Sequence, residues 1–358
     1  MKKITFFINS LDAGGSERQL LYLVNLIKKK FIVEIFCFKK GELINDFKKQ
    51  KVNIISEENS FFPIIPLIKY LLSNDSEIYH FILPKAYILG GIFTIFSKKK
   101  KIMSRKSLNN YHKKYFGISL FVEKLLHSRM DYIVCNSESI KKQLILFENV
   151  NTKKIKVIKN FFYNRKVIKS PRVDFKIKNK DINFAYVANF IPYKGHKDLI
   201  EICSKLKTKK NWKLFLVGKG KEAYMDYLKR CISKKKLSSK IIFTGYLENT
   251  VNLYRKMDFA INCSEQEGSS NALLEAISQK LPIISFDVGG NGEFFFKNGY
   301  LVKYKDTKIF IERLDLLIDS KDRKKMGKNS YLHFKKNFRN SISMKKYESL
   351  YRELFKAN

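Results

Sequence analysis

Strand-like apolar runs alternate with helix-periodic runs along almost the whole chain, and they do so in two successive series. That alternation restricts the fold to α/β with parallel sheets, because neighbouring parallel strands must be joined through a crossover, usually a helix. The first series places strands at 4–8, 31–38, 79–83, 101–104, 132–136 and 155–159, with helices at 16–27 and 138–148 and Ser16 as a helix N-cap. The second places strands at 182–187, 213–217, 241–243, 259–262 and 283–286. Between them the chain turns polar and lysine-rich around Pro171 and loses its helical period. The expected organisation is a Rossmann-like domain over 1–165, a linker over 166–181, a second Rossmann-like domain over 182–337 and a helical tail over 338–358. Two doubly wound domains that face each other across a cleft would bind ligands at the C-terminal ends of their strands.

A length of 358 residues suits two such domains, and 45% hydrophobic residues suffice for two cores. The five cysteines are scattered and none forms a CxxC, which argues against zinc and disulfides and suits a reducing cytoplasm. The apolar start at residues 4–8 is too short for a signal peptide and reads as a strand. Residues 81–96 are the best membrane candidate, but they contain Pro84, Lys85 and a Gly-Gly pair, and they fall short of a span. A net charge of +38 favours anionic partners, whether acidic lipid, phosphorylated substrate or nucleic acid.

Glu267 and Glu275 stand eight positions apart on either side of a helix start, with Gly268, Ser269, Ser270, Asn271 and Ala272 between them. Unpaired amides at a helix start hold phosphate, and ionised carboxylates accept from sugar hydroxyls. The set therefore suits a ligand with phosphates in the middle and a hydroxyl-rich sugar at each end. Upstream, Lys194-Gly195 follows the strand 182–187 and offers a cation beside helix-start amides. In the first half, Gly14-Gly15 before a helix would let an anion approach the backbone. Neither a GxGxxG nor a Walker A sequence is present.

These elements together resemble the retaining glycosyltransferases of family 4, also called glycosyltransferase group 1, which have the GT-B architecture. The resemblance spans nearly the whole chain: Gly14-Gly15-Ser-Glu-Arg18, Lys194-Gly195, the turn at 217–220, Phe243-Thr-Gly245, the Glu267/Glu275 pair, Gly289-Gly290 and the tail. It implies that Lys194 holds the donor diphosphate with amides near Gly15 and from Ser269 to Ala272. It also implies that Glu267 contacts the transferred sugar, that Glu275 binds the ribose, and that the base lies near Gly245 and Tyr246. The final helix would cross back onto the N-terminal domain. The family's Gly-Arg pair ahead of the lysine is Ala188-Asn189 here, so one diphosphate cation is missing, and Arg18 or another basic residue would substitute. A histidine facing the sugar is expected from His80 or His112, while Arg105 and Lys106 read as acceptor or donor-phosphate contacts.

No Asp-x-Asp occurs, so no metal or cofactor is expected beyond the donor itself, by family frequency a UDP-sugar with GDP as the other choice. The acceptor would be a glycan or lipid-linked saccharide in bacterial surface polysaccharide synthesis. The basic, aromatic stretch Lys101 to Lys114, with Tyr111 and Tyr115, would face a membrane or a lipid pyrophosphate, and the protein is expected in the cytoplasm on the inner face of the cell membrane. The rival readings are a nucleotide-sugar epimerase of the same fold, an inactive scaffold suggested by Asn189, and a basic nucleic-acid-binding protein. The last lacks an aromatic stacking platform or motif.

Overall fold

The computed structural model describes residues 1–56, 64–108, 118–162 and 180–356. The chain forms two compact units, one of residues 1–161 with 340–358 and the other of residues 162–339. The expected linker falls almost entirely outside the described residues.

The first unit contains β1 (Lys3–Ser10), α1 (Gly15–Ile27), β2 (Ile32–Lys39), α2 (Ile44–Lys48), β3 (Asn53–Ser56), α3 (Ile64–Ser73), β4 (Ile78–Ile82) and α4 (Pro84–Phe93). It continues with β5 (Lys100–Arg105), α5 (Ile118–Ser128), β6 (Tyr132–Cys135), α6 (Glu138–Leu146) and β7 (Ile155–Val157). The strands pair in parallel in the order β3-β2-β1-β4-β5-β6-β7. Central strands are buried on both faces, which explains why they read as continuous apolar runs instead of alternating ones. Helices α1 and α2 cover one face, and α3 to α6 cover the other. Helix α1 begins at Gly15 with Gly14 as its N-cap, so Ser16 is already inside it. Residues 81–96 are the end of β4, all of α4 and the turn beyond. The short β3 is a strand the sequence reading passes over.

Helix α13 (Asn340–Lys356) completes the first unit. Tyr347, Leu350, Tyr351 and Leu354 follow a helical i, i+3, i+4, i+7 stripe and enter the core beside α1. Burying each contributes about 1.5–3 kcal/mol. The Ser343 hydroxyl donates to the Lys159 carbonyl at 2.9 Å and fastens the start of the helix.

The second unit contains β8 (Ile182–Val187), α7 (His196–Ser204), β9 (Trp212–Val217), α8 (Glu222–Lys234), β10 (Ile241–Gly245), α9 (Val251–Tyr254) and β11 (Phe259–Asn262). It ends with α10 (Asn271–Ser278), β12 (Ile283–Asp287), β13 (Gly299–Lys303), α11 (Thr307–Asp319) and α12 (Arg323–Asn337). Its parallel order is β10-β9-β8-β11-β12-β13. Strand β13 is absent from the sequence expectation because it is short and half-exposed. Helices α7, α8 and α11 pack on one face, and α9 and α10 on the other. The crossovers leaving β8 and β11 therefore diverge to opposite faces, and these two strands are neighbours. Their C-terminal ends form the switch point, where open α/β sheets bind ligands.

Candidate active site

The loops after β8 and β11 meet at that switch point. After β8 the chain makes a 3-10 turn, Pro192–Lys194, and enters α7 through Gly195 at φ +67°. This left-handed conformation costs a side-chain-bearing residue about 1–2 kcal/mol. Glycine is also required sterically, since a Cβ there would lie 2.1 Å from the Cys263 carbonyl oxygen. The two loops are thus in backbone contact, joined by a hydrogen bond from the Glu265 amide to the Tyr193 carbonyl at 2.8 Å.

This contact brings Lys194 Nζ to 2.6 Å from Glu267 Oε1, with both side chains mostly buried. The same oxygen accepts from Ser264 Oγ at 2.8 Å and lies 3.5 Å from Asn262 Nδ2. Among the described residues, the other carboxylate oxygen of Glu267 takes no hydrogen bond. One side of the carboxylate is anchored by the protein, and the other keeps its lone pairs for a hydroxyl donor. Fully buried Tyr186 supports the arrangement: its hydroxyl donates to the Lys194 carbonyl at 2.5 Å and lies 3.0 Å from Ser264 Oγ. Burial and the nearby Cys263 push the Tyr186 phenol well above its usual range, so it stays a neutral donor. His196 packs beneath the loop against the rings of Tyr186 and Phe190. Burial, and then the Lys194 charge, hold its imidazole down at about 3, so it is neutral.

Helix α10 opens at the same place. Ser270 is its N-cap, accepting from the Leu273 amide at 3.3 Å and from Asn262 Nδ2 at 3.3 Å. Gly268, Ser269, Asn271 and Ala272 surround this helix start, which carries a partial positive charge from its dipole. Glu275, one turn further on, accepts from Thr250 Oγ1 at 2.5 Å. Gly245 sits at φ +73° with open space where a Cβ would be, and its carbonyl accepts from the Gly218 amide at 3.0 Å. Tyr246 beside it is exposed, with Lys219 Nζ 5.5 Å from its ring centroid.

Lys194, Glu267, Ser269, Ser270, Asn271, Ala272 and Glu275 are thus gathered in one unit. Asn189 is exposed nearby, and the Phe190 amide after it donates to the Lys219 carbonyl at 2.8 Å. Sequence reasoning missed Tyr186, Asn262, Ser264, His196 and Lys219. The Gly218-Lys219-Gly220 turn was a signal for Lys219, whereas the other four carry none that local pattern can reveal.

Several expectations in the first unit are corrected. His80 is fully buried, with Nδ1 2.9 Å from the Tyr351 hydroxyl and Nε2 2.8 Å from Ser104 Oγ. Burial, with the Lys106 charge second, holds it down at about 3, so it is a neutral core residue tying β4 to α13. Arg105 is not an anion contact for a substrate. Its Nη2 donates to Glu123 at 2.8 Å and Glu148 at 2.7 Å, and all three side chains are buried. With His127 these two carboxylates form a group whose potential ligand atoms lie within 4.8 Å of one another, but the Arg105 guanidinium already supplies the cation there. Lys106 is half-buried, 3.3 Å from the Tyr347 hydroxyl. Lys101 is buried and donates to the Thr94 and Ser97 carbonyls, so it does not face a membrane. His112, Tyr111 and Tyr115 lie outside the described residues. At Gly14 and Gly15 the α1 start has a near neighbour in Glu17, whose carboxylate lies 2.2 Å from where a Gly14 Cβ would be. Burial, followed by the nearby Asp12 charge, raises the Glu17 carboxyl above its usual range. Arg18 follows on the same helix, its amide bonded to the Gly14 carbonyl.

Residues 168–333 match the family model described as glycosyl transferases group 1. An N-acetylgalactosaminyltransferase of Campylobacter jejuni, named for a diphospho-undecaprenol-linked acceptor, is 24% identical over 92% of this chain and 93% of its own length. The O-antigen biosynthesis glycosyltransferase WbnH of Escherichia coli is 26% identical over 87% of this chain and 90% of its own. Among solved structures, Anabaena HepE in complex with UDP superposes with a TM-score of 0.82 at 15% identity, covering 99% of this chain and 100% of that one.

Proposed function

We propose that this chain, whose residues 168–333 match the glycosyl transferases group 1 model, moves a hexose or N-acetylhexosamine from a UDP-sugar to a lipid-linked saccharide, with retention of anomeric configuration. The observation that carries this reading is the Lys194–Glu267 pair held at the N-terminus of α10. In this arrangement each charge satisfies the other. A diphosphate that binds at the helix start draws Lys194 to itself, and the freed carboxylate turns to the sugar hydroxyls. Lys219, beside Asn189 and Tyr246, supplies the second cation that Asn189 does not. Glu275, oriented by Thr250, accepts from the ribose, and the base lies along Gly245 and Tyr246.

As the glycosidic bond breaks, positive charge grows on the anomeric carbon and negative charge on the departing diphosphate. Lys194, Lys219 and the α10 dipole stabilise the leaving group, and they do so most strongly once water is excluded. Glu267 is bonded through Oε1 and so positions hydroxyls; it is not the nucleophile. The acceptor hydroxyl attacks from the face that the diphosphate leaves, and a phosphate oxygen takes its proton. No metal enters this scheme. Acceptors of this class are carried by a membrane, so the enzyme works at the bilayer surface; no described helix is long and apolar enough to cross one.

The test is transfer from a panel of nucleotide-sugars to a short lipid-linked saccharide, run with wild type and Glu267→Gln. The expected result is acceptor-dependent transfer that the variant loses by at least about a hundredfold, while UDP affinity stays equal or rises because Lys194 is released from its partner. Release of an epimerised sugar without acceptor, or full turnover by Glu267→Gln, would overturn the assignment.

A further inference from the structure

Helices α3, α4 and α5 lie side by side on one face of the first sheet, each sealing the core with part of its surface. Their outer surfaces are apolar. Ile65, Ile68 and Leu72 form an i, i+3, i+7 stripe on α3, Phe121 and Leu125 an i, i+4 pair on α5, and Phe96 projects just beyond α4. Leu72 is 83% exposed, Phe96 93% and Phe121 71%, and they are grouped on neighbouring helices instead of scattered singly over the surface. The opposite face of the sheet carries no such surface, because α13 packs into it.

The charges on these helices are one-sided. Lys69 on α3, Lys85 on α4, Lys98 after it and Lys124 on α5 are all cations at least partly exposed to solvent. The single carboxylate in the three helices is Glu123, and it is buried against Arg105. An apolar surface flanked by lysines, whose own helices expose no acid, matches an anionic bilayer, with hydrocarbon beneath and negative headgroups around; the exposed Asp75, three residues beyond Leu72, is paired with Lys3. A second copy of the same face would set lysine against lysine, and an ordinary protein partner would not demand this excess of cations.

We propose that the outer face of α3, α4 and α5 docks on an anionic lipid bilayer, with Leu72, Phe96 and Phe121 entering the headgroup–acyl boundary and Lys69, Lys98 and Lys124 meeting lipid phosphates. Docking there brings the enzyme to the lipid-linked acceptor proposed above, and its purpose rests on that reading. Of the stretch first expected to face the membrane, Lys101 is buried and residues 109–114 lie outside the described residues.

The experiment is sedimentation of the full chain with phosphatidylcholine vesicles, with and without phosphatidylglycerol. Wild type should bind only the anionic vesicles and be released by salt. Lys69→Glu/Lys98→Glu/Lys124→Glu should lower partitioning by on the order of a hundredfold, and Leu72→Ser/Phe96→Ser/Phe121→Ser by a similar factor. All replaced side chains are at least partly exposed, and an unchanged melting temperature of each variant shows that the fold survives. Serine variants that partition like wild type would overturn the proposal. So would a self-association, seen by sedimentation velocity, that the serine changes abolish while wild type ignores anionic vesicles. Failure of UDP to raise the melting temperature would strike the catalytic reading and leave docking standing.

Discussion

Gly195→Ala should do far more damage than Gly245→Ala, although the two glycines share almost the same backbone conformation, φ +67° and +73°. Each substitution pays the left-handed penalty of about 1–2 kcal/mol. At Gly245 nothing lies within 4 Å of the new methyl, so that is the whole cost. At Gly195 the methyl would sit 2.1 Å from the Cys263 carbonyl oxygen, where ordinary contact begins at 3.4 Å, so the two loops must part by 3.4 − 2.1 = 1.3 Å. Forcing packed backbone apart adds about 1–3 kcal/mol. With a urea slope of about 2–3 kcal/mol/M, the midpoint falls by roughly 1–2 M for Gly195→Ala against roughly 0.5 M for Gly245→Ala. The same separation pulls Lys194 from Glu267, and a misplacement of about 1 Å costs up to about a hundredfold in kcat/KM. Urea unfolding followed by tryptophan fluorescence reads the second unit, where Trp212 is buried, and sugar transfer reads the site. Equal midpoints for the two variants, or full turnover by Gly195→Ala, would refute the reasoning.

Arg105→Met leaves Glu123 and Glu148 buried without their cation. The first unit should lose about 3–5 kcal/mol, seen as an earlier urea transition, and a loss below about 1 kcal/mol would mean the trio is solvated. Acid should destabilise both units through His80 and His196. Their folded pKa values of about 3 lie below the unfolded 6.5, so the unfolded chain takes up protons that the folded one refuses. Stability therefore falls as pH drops below about 6.5, by about 1.4 kcal/mol per pH unit for each histidine, or about 2 kcal/mol per unit of the fold between pH 7 and 5. Urea midpoints that stay level across that range would contradict their neutral burial.

Much of the fold was legible because of how parallel strands are buried. β1, β2, β4, β8, β9 and β12 are covered on both faces, so each announces itself as an unbroken apolar run. β3 and β13 are short or half-exposed and carry no such mark. In the site, Lys194, Gly195, Glu267 and Glu275 were legible because each stands beside a strand end or helix start that local pattern locates. Tyr186, Ser264 and Asn262 were not, since a strand tyrosine and a loop serine look like ordinary packing until a partner 78 positions away is known.

The chain's own pattern determined two series of alternating strands and helices, and which glycines and charged groups stand at their ends. These are properties of neighbouring residues, written by burial on two faces and by helix-end chemistry. Only the tertiary structure decided which charges are spent and which remain for a ligand. Arg105 looked like a substrate contact until Glu123 and Glu148, 18 and 43 positions away, closed around it. His80 looked like a candidate to face the transferred sugar until Tyr351, 271 positions away, took its ring nitrogen. Electrostatic pairing depends on distance in space and on exclusion of water, and neither is encoded in separation along the chain.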